Sequence, residues 1–471
     1  MKKIFILAFF IQSWQWLHAQ NRLSLKQAIE TGIANNIDVN QAQLSSQRAA
    51  VNLRQAKQNM FPDLNITADH GINQGRSIDP ISNSFVNQQF GYGSYGASSN
   101  VLLFNGFSVQ NNIKSNALSY EASKMELQQA KDNLTINIIL AYLQVLSSHD
   151  ILIRSEAQAA VTEKQVDRLA KLNEAGAIKP ADYYDLKGQY ANDQVAIAEG
   201  KAALETAKLN LVQLLNIPYN KTLELERIPE EMFVIGYDNT PEKVYQTALT
   251  QFAQVKSVHL RSLGAAKQVK SIRGELFPSL FLGAGINSNY SSAASQSYLT
   301  DSKYVAGSDY VLIGGNQEPV FTKQETYTSR KISYGDQLNN NLFTSVNLGL
   351  RIPVFNANRV RNRIRTAKID QKNFELIEQN TKTQLQQAIE RAYVNLTTTS
   401  DKYRIITDQV TAFAESFRGA EVRFNAGAIN SVDYLIAKNN LDRANNNLIV
   451  SKYDFVLRKK VLDYYEGKPL W

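Results

Sequence analysis

LFTSVNLGLRIPVFNANRVRNRIRTA (342–367) changes its period halfway along. In its first part Leu342, Thr344, Val346, Leu348, Leu350 and Ile352 fall on one side, and Ser345, Asn347, Gly349 and Arg351 on the other. That two-residue alternation reads as a β-strand with unlike faces. Pro353 punctuates its end, where a missing N–H is tolerable. Beyond Phe355-Asn356 the pattern turns helical, and Asn358 to Asn425 holds no proline and only Gly419 as glycine. Sixty-odd residues at ~1.5 Å rise make a rod of roughly 100 Å. With 23 glycines and 10 prolines in 471 residues, the composition favours long helices over compact layers.

The same strand-to-rod passage occurs earlier. LLFNGFSVQNNIKSNA (102–117) matches PVFNANRVRNRIRTA (353–367) at an offset of 251, and Phe107 to Leu172 contains neither Pro nor Gly. AGAI at 175–178 and 426–429 keeps that offset, and each of its glycines is followed six residues later by an aspartate, Asp182 or Asp433. NMFPDLNITADHGIN (59–73) matches ELFPSLFLGAGIN (275–287) at an offset of 216. The difference of 35 residues falls in the Ser/Tyr/Gly-rich stretch of about 290–341, which reads as an enlarged loop. The chain is therefore a duplication. The first repeat, 20–240, is expected to hold helices over about 24–59, 107–172 and 181–216 and strands over about 62–73 and 92–104. The second, 241–471, is expected to hold helices over 241–274, 358–425 and 432–466 and strands over 278–289 and 342–354. In the first rod one heptad register runs Ile113, Tyr120, Leu127, Leu134, Ala141 and another, interrupted only by Asp132, Leu118, Met125, Ile139, Leu146, Ile153. Two seams suit a coiled-coil helix with a neighbour on each side; one broad apolar face in a simple bundle fits them too.

The other strands alternate likewise. Leu64, Ile66, Ala68 and Ile72 oppose Asn65, Thr67, Asp69 and Asn73, and Val101 and Leu103 alternate with Asn100. Apolar-out, polar-in alternation over about ten residues is the pattern of a transmembrane β-strand. Phe281, Phe343 and Leu102 interrupt the polar side and keep a half-buried soluble sheet open as a reading. Four strands cannot close a barrel, and open edges cannot stand in lipid. The membrane reading therefore needs several copies, and three would supply twelve strands.

Lys2 and Lys3, the apolar run Ile4–Ile11 and His18–Ala19 before Gln20 read as a signal peptide over 1–19. Its removal lowers the formal charge from +8 to +6. No later segment has eighteen consecutive apolar residues. The chain has no cysteine, so neither disulfides nor a lipidated cysteine is expected. Basic residues are interspersed with acidic ones, which reads as solvated faces and not as a nucleic-acid patch. GYGSYG (91–96) fits G-x-G-x-x-G, but a strand and not a helix follows it, so no dinucleotide site is expected. The four histidines have no ligand spacing, and no nucleophile elbow or Walker motif is present. No cofactor, metal or catalytic residue is expected.

In the order and spacing of these features, nearly the whole mature chain resembles the TolC family of outer-membrane efflux channels. The marks are the duplication, the paired FP-x-L junctions, the FN junctions, the long rods and the AGAI turns. The resemblance implies an α+β membrane protein. In it, three chains build one 12-stranded β-barrel from four strands each, and their helices build a long periplasmic tunnel. It implies a homotrimer in the outer membrane of a Gram-negative bacterium, touching lipid. Its partners would be a periplasmic adaptor (membrane fusion protein) and an inner-membrane RND or ABC pump, for efflux or type I secretion. It places the tip turns, with Gly176, Ala177, Gly427 and Ala428, against the adaptor. Asp433 becomes the carboxylate of a pore constriction, with Ile436 one turn on, where a second carboxylate can occur. Asp182, Phe424 and Ile429 become tip or latch residues, Ile429 standing where a tethering basic residue can occur. Asn65, Thr67, Asn100, Asn347 and Arg351 would face the barrel lumen; Arg351 reads equally as an interfacial anchor.

Local physics reads Gly176 and Gly427 as the left-handed C-cap residues after each rod, and offers another role for the two aspartates. Both lie in the first turn of a helix, where a carboxylate favours the helix dipole, and Ser431 reads as the N-cap before Asp433. A non-conducting coiled-coil scaffold is the alternative for the whole chain, but it has no need of four alternating strands.

Overall fold

A computed structural model describes residues 22–78, 83–87 and 89–468. The signal peptide expected over 1–19 lies outside them. In chain order the elements are α1 (Leu25–Asn35), α2 (Ile37–Gln58), β1 (Asn65–Asn73), β2 (Arg76–Ile78), β3 (Phe85–Asn87), β4 (Phe90–Asn105), α3 (Ser108–Glu174), α4 (Pro180–Leu215), a 3₁₀ turn (Glu230–Phe233), α5 (Pro241–Gln251), α6 (Ala253–Gly274), β5 (Ser279–Ser291), β6 (Ser295–Ile313), β7 (Asn316–Lys331), α7 (Tyr334–Asn340), β8 (Phe343–Arg351), α8 (Arg359–Asn425) and α9 (Ser431–Tyr465). The rods α3 and α8 are both 67 residues long.

Two of the helices expected to be continuous are interrupted. The 24–59 helix breaks at Asn36 and the 241–274 helix at Phe252, each an extended residue. The breaks lie 216 residues apart, so the duplication preserves them. At the first, the Asn36 side chain accepts the free N–H groups of Asp38 (2.9 Å) and Val39 (3.2 Å) and starts α2.

The chain divides into two compact units, each drawing on both repeats. Of the described residues, the first comprises 22–52, Ser115–Ala266 and 369–468. Its core gathers Ile29, Ile138, Tyr142, Leu211, Leu215, Ile389, Phe455 and Leu462, all essentially without solvent exposure. Burying each such side chain contributes ~2 kcal/mol. The most apolar part of α3 supplies Leu134, Ile138, Ile139, Leu143, Val145 and Leu146 to this core. The Tyr142 hydroxyl lies between the carbonyls of Leu23 (2.9 Å) and Glu226 (2.6 Å), where Leu23 pairs with Leu225.

The second unit comprises Leu53–Lys114 and Lys267–Lys368. It holds an antiparallel sheet in the order β1-β4-β5-β8. The stretch expected as an enlarged loop is mostly ordered: β6 and β7 pair as a long ribbon around Gly314-Gly315, both at positive φ. Such a two-glycine turn matches the right-handed twist of its strands. Eight strands therefore occur among the described residues, four of them in the sheet; β2 and β3 form a further small hairpin. At the base of the ribbon, Gln337 is buried. It bonds the Ser291 N–H (2.8 Å), the Ser291 carbonyl (3.0 Å) and the Ile332 carbonyl (2.9 Å).

Candidate functional site

Two regions carry the residues singled out by sequence. In the first unit, α3–α4 and α8–α9 each close through an AGAI turn. Gly176 and Gly427 take φ of 65° and 73°. Ala177 N–H bonds the Leu172 carbonyl and Gly176 N–H the Asn173 carbonyl; Ala428 to Arg423 and Gly427 to Phe424 repeat the pattern. This double bond to the last carbonyls is how a left-handed glycine ends a helix.

The two turns engage each other asymmetrically. Arg168 of α3 donates to the Asn425 carbonyl (2.7 Å) and to its side-chain oxygen, covering the C-terminus of α8. Asp182 of α4 accepts the Ser431 N–H (3.0 Å), and Asp185 accepts the Ser431 hydroxyl (2.8 Å). One hairpin thus presents a cation to the negative end of α8 and carboxylates to the positive end of α9. Ser431 is not the N-cap that its sequence suggests. Asn430 fills that place, its side chain accepting the Asp433 N–H at 2.9 Å, and Ser431 is the buried first residue of α9. Its N–H has no partner within the helix, so Asp182 supplies one from outside.

Behind these contacts Phe424 stacks on Tyr434 with ring centres 4.6 Å apart, among Leu169 and Leu186; Ile429 packs at the edge. Burial raises the Tyr434 phenol well above its ordinary range, and the charges of Glu421, Asp442 and Asp193 push the same way. Asp433 and Ile436 are exposed. A groove of about 740 Å³ between the two turns is lined by Arg168, Asp182, Phe424, Ala428 and Asp433 among others.

The second region is the sheet. Strand registers put Asn65 beside Ser98, Thr67 beside Gly96, Asn100 beside Gly283 beside Asn347, and Arg351 beside Ser279. All five candidate polar residues therefore share one face. The other face carries Ile66, Ala68, Val101, Leu282, Ile286, Val346, Leu348 and Leu350. It is open, with Ile66 and Val346 each 78 % exposed. Two interruptions of the polar face have causes. A register shift at Leu102/Phe104 inserts an extra residue. The Phe281 ring lies over Gly349, which has no Cβ to obstruct it.

The family model described as outer membrane efflux protein matches residues 28–216 and 244–462, one stretch per repeat. The chain belongs to that family. As a member of the outer membrane efflux proteins it resides in the outer membrane of Gram-negative bacteria, and its family is one of channels, not enzymes. The outer membrane efflux protein BepC of Brucella suis biovar 1 is 21 % identical over 429 residues, spanning 90 % of this chain and 82 % of that one. Among solved structures, CusC superposes with a TM-score of 0.76 at 15 % identity, covering 95 % of this chain and 93 % of its own. The outer membrane protein VceC of Vibrio cholerae gives 0.75 at 14 % identity, covering 95 % and 97 %. At such identities these structures speak for the fold alone, the α+β arrangement of long helices and antiparallel strands expected above.

Within this efflux-family fold, sequence reasoning missed Arg168, Asp185 and Tyr434. A signal for the first two existed. At the 251 offset Arg168 corresponds to Gly419 and Asp185 to Ile436. Two of the residues that join the hairpins thus stand where the repeats differ in charge.

Proposed function

We propose that three copies of this chain form a passive exit duct through the outer membrane, for substrates handed over by an inner-membrane RND or ABC pump and a periplasmic adaptor. The observation that carries this reading is the sheet: one exposed apolar face spanning all four strands, a polar opposite face, and two edges, β1 and β8, unpaired among the described residues. Such a sheet is stable in lipid only if its edges pair. Pairing β8 of one copy with β1 of the next closes a ring of twelve strands at three copies. Asn65, Thr67, Asn100, Asn347 and Arg351 would then line the lumen, and Ile66, Val346 and Leu348 would meet acyl chains.

In the same assembly the exposed faces of α9 would converge on the axis. Asp433 would form a ring of three carboxylates favouring cations, with Ile436 as an apolar collar behind it. Asp182, with Phe424 and Ile429 packed beside it, would latch the closed arrangement. Gly176, Ala177, Gly427 and Ala428, all exposed, would present the turns to the adaptor. The test is purification from outer membranes in detergent with co-expressed adaptor. A mass of three chains, and adaptor retained by the wild type but lost on replacing both AGAI turns, is expected. A monodisperse folded monomer would refute the assembly.

A further inference from the structure

Above the tip contacts, α9 buries a full charge. Lys438 is 2 % exposed. Its ammonium lies 3.1 Å from Asp193 Oδ2 on α4 and 2.7 Å from Asp442 Oδ2 on its own helix. Asp193 is itself buried and also accepts from Thr162 of α3 and from Gln189 (2.7 Å). Arg154 of α3 adds a second positive charge near Asp442. Side chains of three helices thus meet in one cluster around the ammonium. The surrounding seam is polar: Arg154 Nε, Gln158 Nε2 and Asn445 Nδ2 are buried without a partner among the described residues. Alongside the Phe424–Tyr434 stack one turn away, the buried ion pair fixes how α9 is turned, because separating it leaves uncompensated charge.

The position matters for what α9 displays. Ser431, Tyr434 and Lys438 form one buried stripe, while Val432, Asp433 and Ile436 are exposed. Around the helix Asp433 lies about 140° from Lys438. Holding Lys438 inward therefore holds Asp433 and Ile436 outward. The equivalent residue of the first repeat, Lys187, is exposed and rests over the Tyr183 ring, and the counterpart of Asp193 is Ala444. The equivalent positions of the first repeat therefore do not form such an ion pair.

We propose that Lys438, clamped by Asp193 and Asp442, is a positioning residue that sets the rotation of α9 and thereby holds the constriction residues in their resting orientation. This rests on the channel reading, so wild-type conductance in planar bilayers is the control. If the folded wild-type trimer did not conduct, the channel reading and this proposal would both fall. With a conducting wild type, Lys438→Met trimers should show larger single-channel conductance and a loss of cation preference. The double variant Lys438→Met/Asp193→Asn removes one charge of each sign and leaves Asp442 to Arg154; it should regain thermal stability, yet keep the altered conductance. If the double variant returned to wild-type conductance along with its stability, or if both variants conducted like wild type, the cluster would be only a packing element and the proposal would be wrong.

Discussion

Asp182 and Asp433 occupy the same place in the two repeats, yet the fold uses them differently. Asp182 is engaged by the Ser431 N–H, whereas the Asp433 carboxylate is exposed and its backbone N–H is held by Asn430. This difference follows from which hairpin offers its side chains to the other, and the repeated motif alone does not contain it. If Asp433 forms an acidic ring, Asp433→Ala should abolish cation-over-anion preference in reversal-potential measurements while leaving trimer stability within about 0.5 kcal/mol. Unchanged selectivity would remove the ring and leave Asp433 a first-turn residue with a favourable dipole interaction. The glycines of both turns were legible because a left-handed helix stop has few chemical solutions. Arg168 and Lys438 were not. Long cations on a polar helix look like solvated charges until the fold shows what covers them.

At the scale of elements, period two identified the four sheet strands and which residues share a face, since one register fixes every side chain of a strand. It could not identify the β6–β7 ribbon, whose Thr, Tyr, Ser and charged residues lack a clean apolar side and read as loop. The breaks at Asn36 and Phe252 were equally hidden, because neither residue is a helix breaker. The two sheet faces make opposite predictions. Val346→Lys should cost ~2–4 kcal/mol in lipid, whereas Asn347→Lys, one residue along, should cost little. Urea unfolding in lipid vesicles would measure both, and equal costs would contradict the assignment of faces. In the helical unit, Arg261 grips Glu126 through two bonds of 2.6 and 2.8 Å, and Ser257 adds a third. Burial raises this carboxyl, but the guanidinium outweighs it and holds the group below its usual range. A depressed carboxylate stabilises the fold above its unfolded pKa of about 4.3 and loses that contribution as pH falls through the lower folded value. Both side chains are 37 % exposed, so the effect after screening is ~0.5 kcal/mol. Glu126→Gln should flatten the fall in thermal stability below pH ~4.3 by that amount; an unaltered acid slope would show the pair to be inconsequential.

For the whole molecule, the duplication organises the sequence but not the compact units. Each unit is assembled from both repeats, and the division falls within α2, α3, α6 and α8. Repeat boundaries are written in local residue matches; unit boundaries depend on which distant segments pack, and that needs the fold. The sheet's open edges lead to the central claim, that the chain is complete only as a closed ring of copies with a conducting lumen. Single-channel recording of the purified trimer in planar bilayers tests that claim most directly. Long-lived, uniform conductance steps that require the trimer are predicted; a folded trimer that passes no current would contradict it.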